Sequence, residues 1–111
     1  MAYEIELAAS FERDYGSTIE YLVGTLKSPQ AARGLMEEVS SAQLLLSQLP
    51  FIHAVSQRRN LRERGVRVHA LKSYAVLYVV NGGRVFFLRL VHKSQCFDSD
   101  RYWRGADSDI G

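Results

Sequence analysis

Between Val66 and Val91 the chain carries three apolar runs, Val66–Leu71, Tyr74–Val80 and Arg84–Val91, separated only by Lys72-Ser73 and by Asn81-Gly82-Gly83. Breaks this short leave no room for a helical crossover, so the runs are expected to be consecutive antiparallel strands joined by tight turns. Such a meander needs something to cover it, and the upstream sequence supplies it. Ser10 is placed to cap a helix in which Phe11, Tyr15, Ile19, Leu22 and Leu26 recur at helical spacing. Ser28-Pro29 offers an N-cap and a first-turn proline for a second helix with Ala32, Leu35, Met36, Val39, Leu46 and Leu49 as its stripe, and Pro50 ends it. Ahead of both, Tyr3, Ile5 and Leu7 alternate with Ala2, Glu4 and Glu6 as in a half-buried strand.

The expected order is β-α-α-β-β-β: an α+β single domain over residues 1–111, with a sheet backed on one face by a two-helix hairpin and open on the other. Residues from about 95 to 111 are expected to form a partly mobile tail. With 111 residues and 47% apolar content the chain has enough material for one core. No apolar run approaches the ~20 residues needed to span a bilayer, and the acidic N-terminus does not resemble a signal peptide, which points to a cytoplasmic protein without membrane partners. Cys96 is the only cysteine, so there is no internal disulfide.

In "VRVHAL" the alternation separates Val66, Val68 and Ala70 from Arg67 and His69, and turning the aliphatic set toward the helices leaves the cationic pair on the open face. For the next strand two turns are compatible. A two-residue Lys72-Ser73 turn puts Tyr74, Val76 and Tyr78 beside Arg67 and His69. A three-residue turn buries them under the helices, and it is preferred because the core needs the aromatic surface. In the last strand Arg89 is assigned outward with Val85, Phe87 and Val91, and Phe86, Leu88 and Leu90 inward. The result is an expected cationic concavity of Arg67, His69 and Arg89, with Lys72, His92 and Lys93 at its margins. Residues 51–64 lose all periodicity and gather Arg58, Arg59, Arg62 and Arg64, an expected basic loop that suits RNA contact, a protein partner or simple solvation equally. Net charge is −4 over residues 1–57 and +6 over residues 58–111, a split that points to an anionic partner.

The ordered set "YEIEL", "LKSPQAARGLMEEV", "LSQLP", "GVRVHALKSYAVLYVV" and "VFFLRLVHKS" resembles the RelE/ParE superfamily of type II toxins over almost the whole chain, Tyr3 to about Ser94. The resemblance implies a toxin held inactive by a cognate antitoxin. RelE-like branches cleave mRNA on the ribosome, and ParE-like branches impair DNA gyrase without a nuclease centre. Metal-independent RNA cleavage needs an acid, a base and fixed cations around the phosphate. The leading expectation is a ribosome-dependent endoribonuclease, in which His92, Arg67 and Arg89 are the catalytic groups and His69, Lys72, Lys93, Arg62 and Arg64 hold the RNA. No metal and no cofactor are expected, since the three histidines lack ligand spacing. One departure favours the gyrase alternative: nucleolytic relatives carry arginine directly after the strand tyrosine, where this chain has Ala75. Tyr102 and Trp103 are the candidates for stacking a base.

Overall fold

The computed structural model describes residues 2–95. Strand β1 (Glu4–Leu7) leads into helix α1 (Ala9–Glu20), which continues without interruption as a π-helical turn over Tyr21–Thr25. Helix α2 (Pro29–Gln48) follows, then a short helix α3 (Arg59–Glu63) and strands β2 (Arg67–Ala70), β3 (Tyr74–Asn81) and β4 (Arg84–His92). The sheet order is β1-β4-β3-β2. The α+β architecture is the expected one, but β1 pairs parallel to β4 and the other ladders are antiparallel.

Helix α2 begins as its sequence dictates, with the Ser28 hydroxyl accepting the Ala31 N–H at 3.2 Å and Pro29 in the first turn. Helix α1 does not. It starts at Ala9 with no side-chain cap, and Ser10 is buried inside it, its hydroxyl donating to the Leu88 carbonyl at 2.6 Å. This bond belongs to a larger arrangement. β1 pairs with β4 only as far as Phe87, and beyond that point α1 takes over the bare strand edge. The Ala8 N–H donates to the Phe87 carbonyl, Ser10 to Leu88, and the Leu90 N–H to Asp14.

The sheet has two buried faces. Under α1 and α2 lie Leu71, Val76, Tyr78, Val85, Phe87 and Leu90, packed with Phe11, Leu22, Leu35, Val39 and Leu46. On the opposite face Val66, Ala75, Leu77, Val79, Leu88 and Val91 pack with Ala8 and with Leu61, which is wholly buried. Leu61 belongs to α3, so the segment expected as an irregular basic loop contains a helix that buries an apolar residue.

The facing of β2 is the reverse of the expectation. Arg67 lies opposite Tyr78 and His69 opposite Val76, and partners in an antiparallel ladder share a face. The Leu71 N–H donates to the Tyr74 carbonyl across a two-residue Lys72-Ser73 turn, not the three-residue one. Tyr74, Val76 and Tyr78 do join the helix-side core, and the short turn obliges Arg67 and His69 to go with them, while Val66 and Val68 join the other face. There is no open basic face carrying Arg67 and His69.

In β4 the alternation is broken by a register shift opposite Leu77 and Tyr78. Val85 and Phe87 therefore face the helices and Phe86 and Leu88 the second cluster, opposite to expectation, while Leu90 and Val91 beyond the shift are as expected. Gly82, at φ 64°, allows the tight β3–β4 turn closed by Asn81 and Arg84.

Candidate functional site

Each proposed cation sits in a local setting that decides what it is free to do. Arg89 is held by α1: its Nε donates to Asp14 Oδ2 at 2.7 Å and its Nη2 to Oδ1 at 3.0 Å, with both side chains less than one-fifth exposed. Arg67 is turned toward the segment after α2. Its Nη1 donates to the His53 carbonyl at 2.5 Å, and its guanidinium lies 5.0 Å from the centroid of the Phe51 ring. His69 is half-buried, with Nδ1 2.9 Å from Nε2 of His53. Burial, and secondarily the neighbouring His53, hold the His69 imidazole below its ordinary value.

His92 stands at the exposed end of β4, where its Nδ1 accepts the Ser94 N–H at 3.1 Å and its ring meets the Tyr74 ring edge-on at 5.2 Å. Lys72 and Lys93 are exposed, and the Lys72 backbone N–H donates to Glu38 on α2. Arg62 is exposed on α3, whose Leu61 packs in the second cluster, and Arg64 follows it half-buried.

These positions do not converge. His92 lies opposite Tyr74 and Arg67 opposite Tyr78, so their backbones are ~13 Å apart along the strands and ~10 Å across two strand spacings. The expected catalytic trio of His92, Arg67 and Arg89 is not gathered around one phosphate-sized space: Arg67 faces the strap after α2, Arg89 faces α1, and His92 the turn beyond β4. Ala75 is buried on the second face, against Val91 and opposite Ala70.

What the fold does assemble is a pair of adjoining grooves along α2. One, of about 470 Å³, runs between the π-helical turn and the β2–β3 turn; Leu22 and Leu35 form its floor, and Tyr21, Tyr74, Lys72 and His92 its rim. Burial raises the Tyr74 hydroxyl above its ordinary value, and the Tyr21 hydroxyl adds to the shift. The other, of about 590 Å³, lies between α2 and the C-terminal end of β2, with His69, Glu37, Glu38 and Ser41 in its lining. Lys72 and Glu38 line both.

The site residues expected from the sequence include neither His53, whose aromatic-flanked setting suggests a structural role, nor Asp14. Nothing marks His53, which becomes important only because the chain brings it against β2. Asp14 was legible in principle: with Ser10 it repeats at i, i+4, a polar pair bordering the stripe of Phe11 and Tyr15. Among the described residues no three metal-type ligands come together, and no helix is long and apolar enough to cross a membrane. Cys96, Tyr102 and Trp103 lie outside the described residues.

No curated protein matches the chain in sequence. Among solved structures it is similar to a chain of the chromosomal ParDE toxin–antitoxin system of P. aeruginosa, with a TM-score of 0.64 at 17% identity over 82% of this chain and 96% of that one. It is also similar to a chain of the RelBE2 toxin–antitoxin complex of Mycobacterium tuberculosis, with a TM-score of 0.59 at 21% identity over 86% and 95%. At these identities the likeness is one of fold. The family model for the ParE toxin of type II toxin–antitoxin systems matches residues 5–97, from β1 to past the end of β4, and the chain belongs to that family.

Proposed function

We propose that this toxin acts by binding and not by cleaving RNA, with DNA gyrase as its target class and a cognate antitoxin as its inhibitor. One observation carries this reading: the two arginines expected to stabilise the phosphate are committed elsewhere. Arg89 neutralises Asp14, Arg67 is spent on the His53 carbonyl and the Phe51 ring, and Ala75 occupies a buried position where nucleolytic relatives place an arginine. Stabilising a pentavalent phosphate needs donors already aimed at the site, because their reorganisation adds to the barrier. The two grooves along α2 are the features suited to a protein partner, since they combine an apolar floor with charged margins.

The test is a paired assay on the purified chain. Gyrase supercoiling is expected to fall in its presence, while a defined message on ribosomes stays intact. Cleaved message with unimpaired supercoiling would overturn the proposal. That outcome would favour a ribosome-dependent endoribonuclease, a reading supported by the exposed imidazole of His92, a side-chain type suited to acid or base chemistry near neutrality.

A further inference from the structure

The segment that follows α2 returns along the edge of β2 as a strap. Val55 forms a bridge with Arg67, and the Ser56 N–H donates to the Val66 carbonyl at 2.8 Å. The Tyr78 hydroxyl donates to the Pro50 carbonyl at 3.0 Å, and Arg67 holds the His53 carbonyl and the Phe51 ring. At the centre, His53 Nε2 and His69 Nδ1 stand 2.9 Å apart with their ring centroids at 5.1 Å.

That contact is a hydrogen bond only while at least one of the two facing nitrogens lacks a proton. The neutral pair, in a suitable tautomer, and the singly protonated pair each present one N–H and one acceptor. With both rings charged, two N–H donors face one another at hydrogen-bond distance and repel. The surroundings sharpen the change. Arg67, on the strap side, already places a cation beside His53, and Tyr78 offers only a hydroxyl. Toward α2, Glu37 and Glu38 line the groove that His69 also lines, with Lys72 beside them.

We propose that the His53–His69 pair is a proton-operated latch: closed at neutral pH, it holds the 49–56 strap over the edge of β2, and a second proton releases the strap. Release uncovers the backbone groups of β2 that the strap pairs, and an uncovered strand edge is a template for another chain. Acid thus converts a capped edge into an available one without unfolding the sheet.

The experiment is amide hydrogen exchange on the full chain at pH 7.5 and pH 5.0, expressed as protection factors so that the intrinsic pH dependence of exchange cancels. The Ser56 amide is expected to lose protection at least tenfold at the lower pH, while β3 and β4 amides stay protected. In His53→Gln and His69→Gln the Ser56 protection is expected to be the same at both pH values, since only one ring remains to be charged. Unchanged wild-type protection would overturn the latch. So would a loss persisting in both variants, which would assign the transition to groups outside the pair, or a loss shared equally by β3 and β4, which would make it global unfolding.

Discussion

Asp14 receives the side chain of Arg89 in a two-point grip, Nε on Oδ2 and Nη2 on Oδ1, and the same Oδ2 accepts the Leu90 N–H at 3.0 Å. A helix carboxylate thereby satisfies both a guanidinium and the backbone of a strand where its neighbour has ended. Asp14→Ala is expected to lower stability by about 2–3 kcal/mol, because it leaves a largely buried cation and a backbone donor without that acceptor. Urea unfolding measures it. The double variant Asp14→Leu with Arg89→Met should recover part of the loss, since removing both charges costs less than orphaning one.

Ser10→Ala removes the donor to the Leu88 carbonyl from a buried site. The expected loss is about 1–2 kcal/mol, the cost of leaving an interior acceptor unpaired, against near-neutrality for Ser17→Ala on the exposed face of the same helix. Chemical denaturation of both variants compares them directly.

Tyr78 has its hydroxyl pushed up to about 12, chiefly by burial, with Arg67 and a backbone hydrogen bond from His53 acting in the opposite direction. Tyrosinate absorbance should therefore contain a late component at about that pH, and Tyr78→Phe should delete it. The same variant frees the Pro50 carbonyl, so proteolysis within the 49–56 strap should become faster.

His69 supplies a pH dependence of opposite origin to a salt-bridged carboxylate. Because burial and His53 hold its folded value below the ordinary 6.5, the unfolded chain takes up the proton first. Unfolding then binds protons, so stability is complete above the ordinary histidine range and falls as pH drops below about 6.5 toward the depressed folded value. Thermal melts across that window should show a slope that His69→Gln flattens.

His92→Gln, which keeps a polar side chain at the groove rim and removes the imidazole, is expected to arrest growth like the unmodified toxin if binding is the mode of action. Induction of the variant in a strain lacking the antitoxin checks this, and loss of arrest with retained folding would point to chemistry at the imidazole.

Much of the architecture was legible because its signals are local. Ser28-Pro29 and Pro50 delimit α2, and Gly82-Gly83 turns the last hairpin, since capping and turn chemistry act within a few residues. The helix α3 was hidden: five residues are too few for a periodic pattern, and its four neighbouring arginines mask the single apolar residue, Leu61, that buries it. The site was read from face assignment, where local pattern is weakest. Alternation shows that Arg67 and His69 share a face but not which one. That was decided by a two-residue turn coupling them to Tyr78 and Val76.

The sequence by itself determined the order of the strands and the two long helices, the family and the separation of acids from bases along the chain. Only the tertiary structure decided what that separation means. β1 lies beside β4 and α1 lies over it, so Glu4 and Glu6 of the acidic half meet Arg84 of the basic half, and Asp14 meets Arg89. A charge asymmetry in one dimension becomes pairing in three, because folding brings the two ends of the chain into one sheet, and attraction between charges depends on distance in space and not on distance along the backbone.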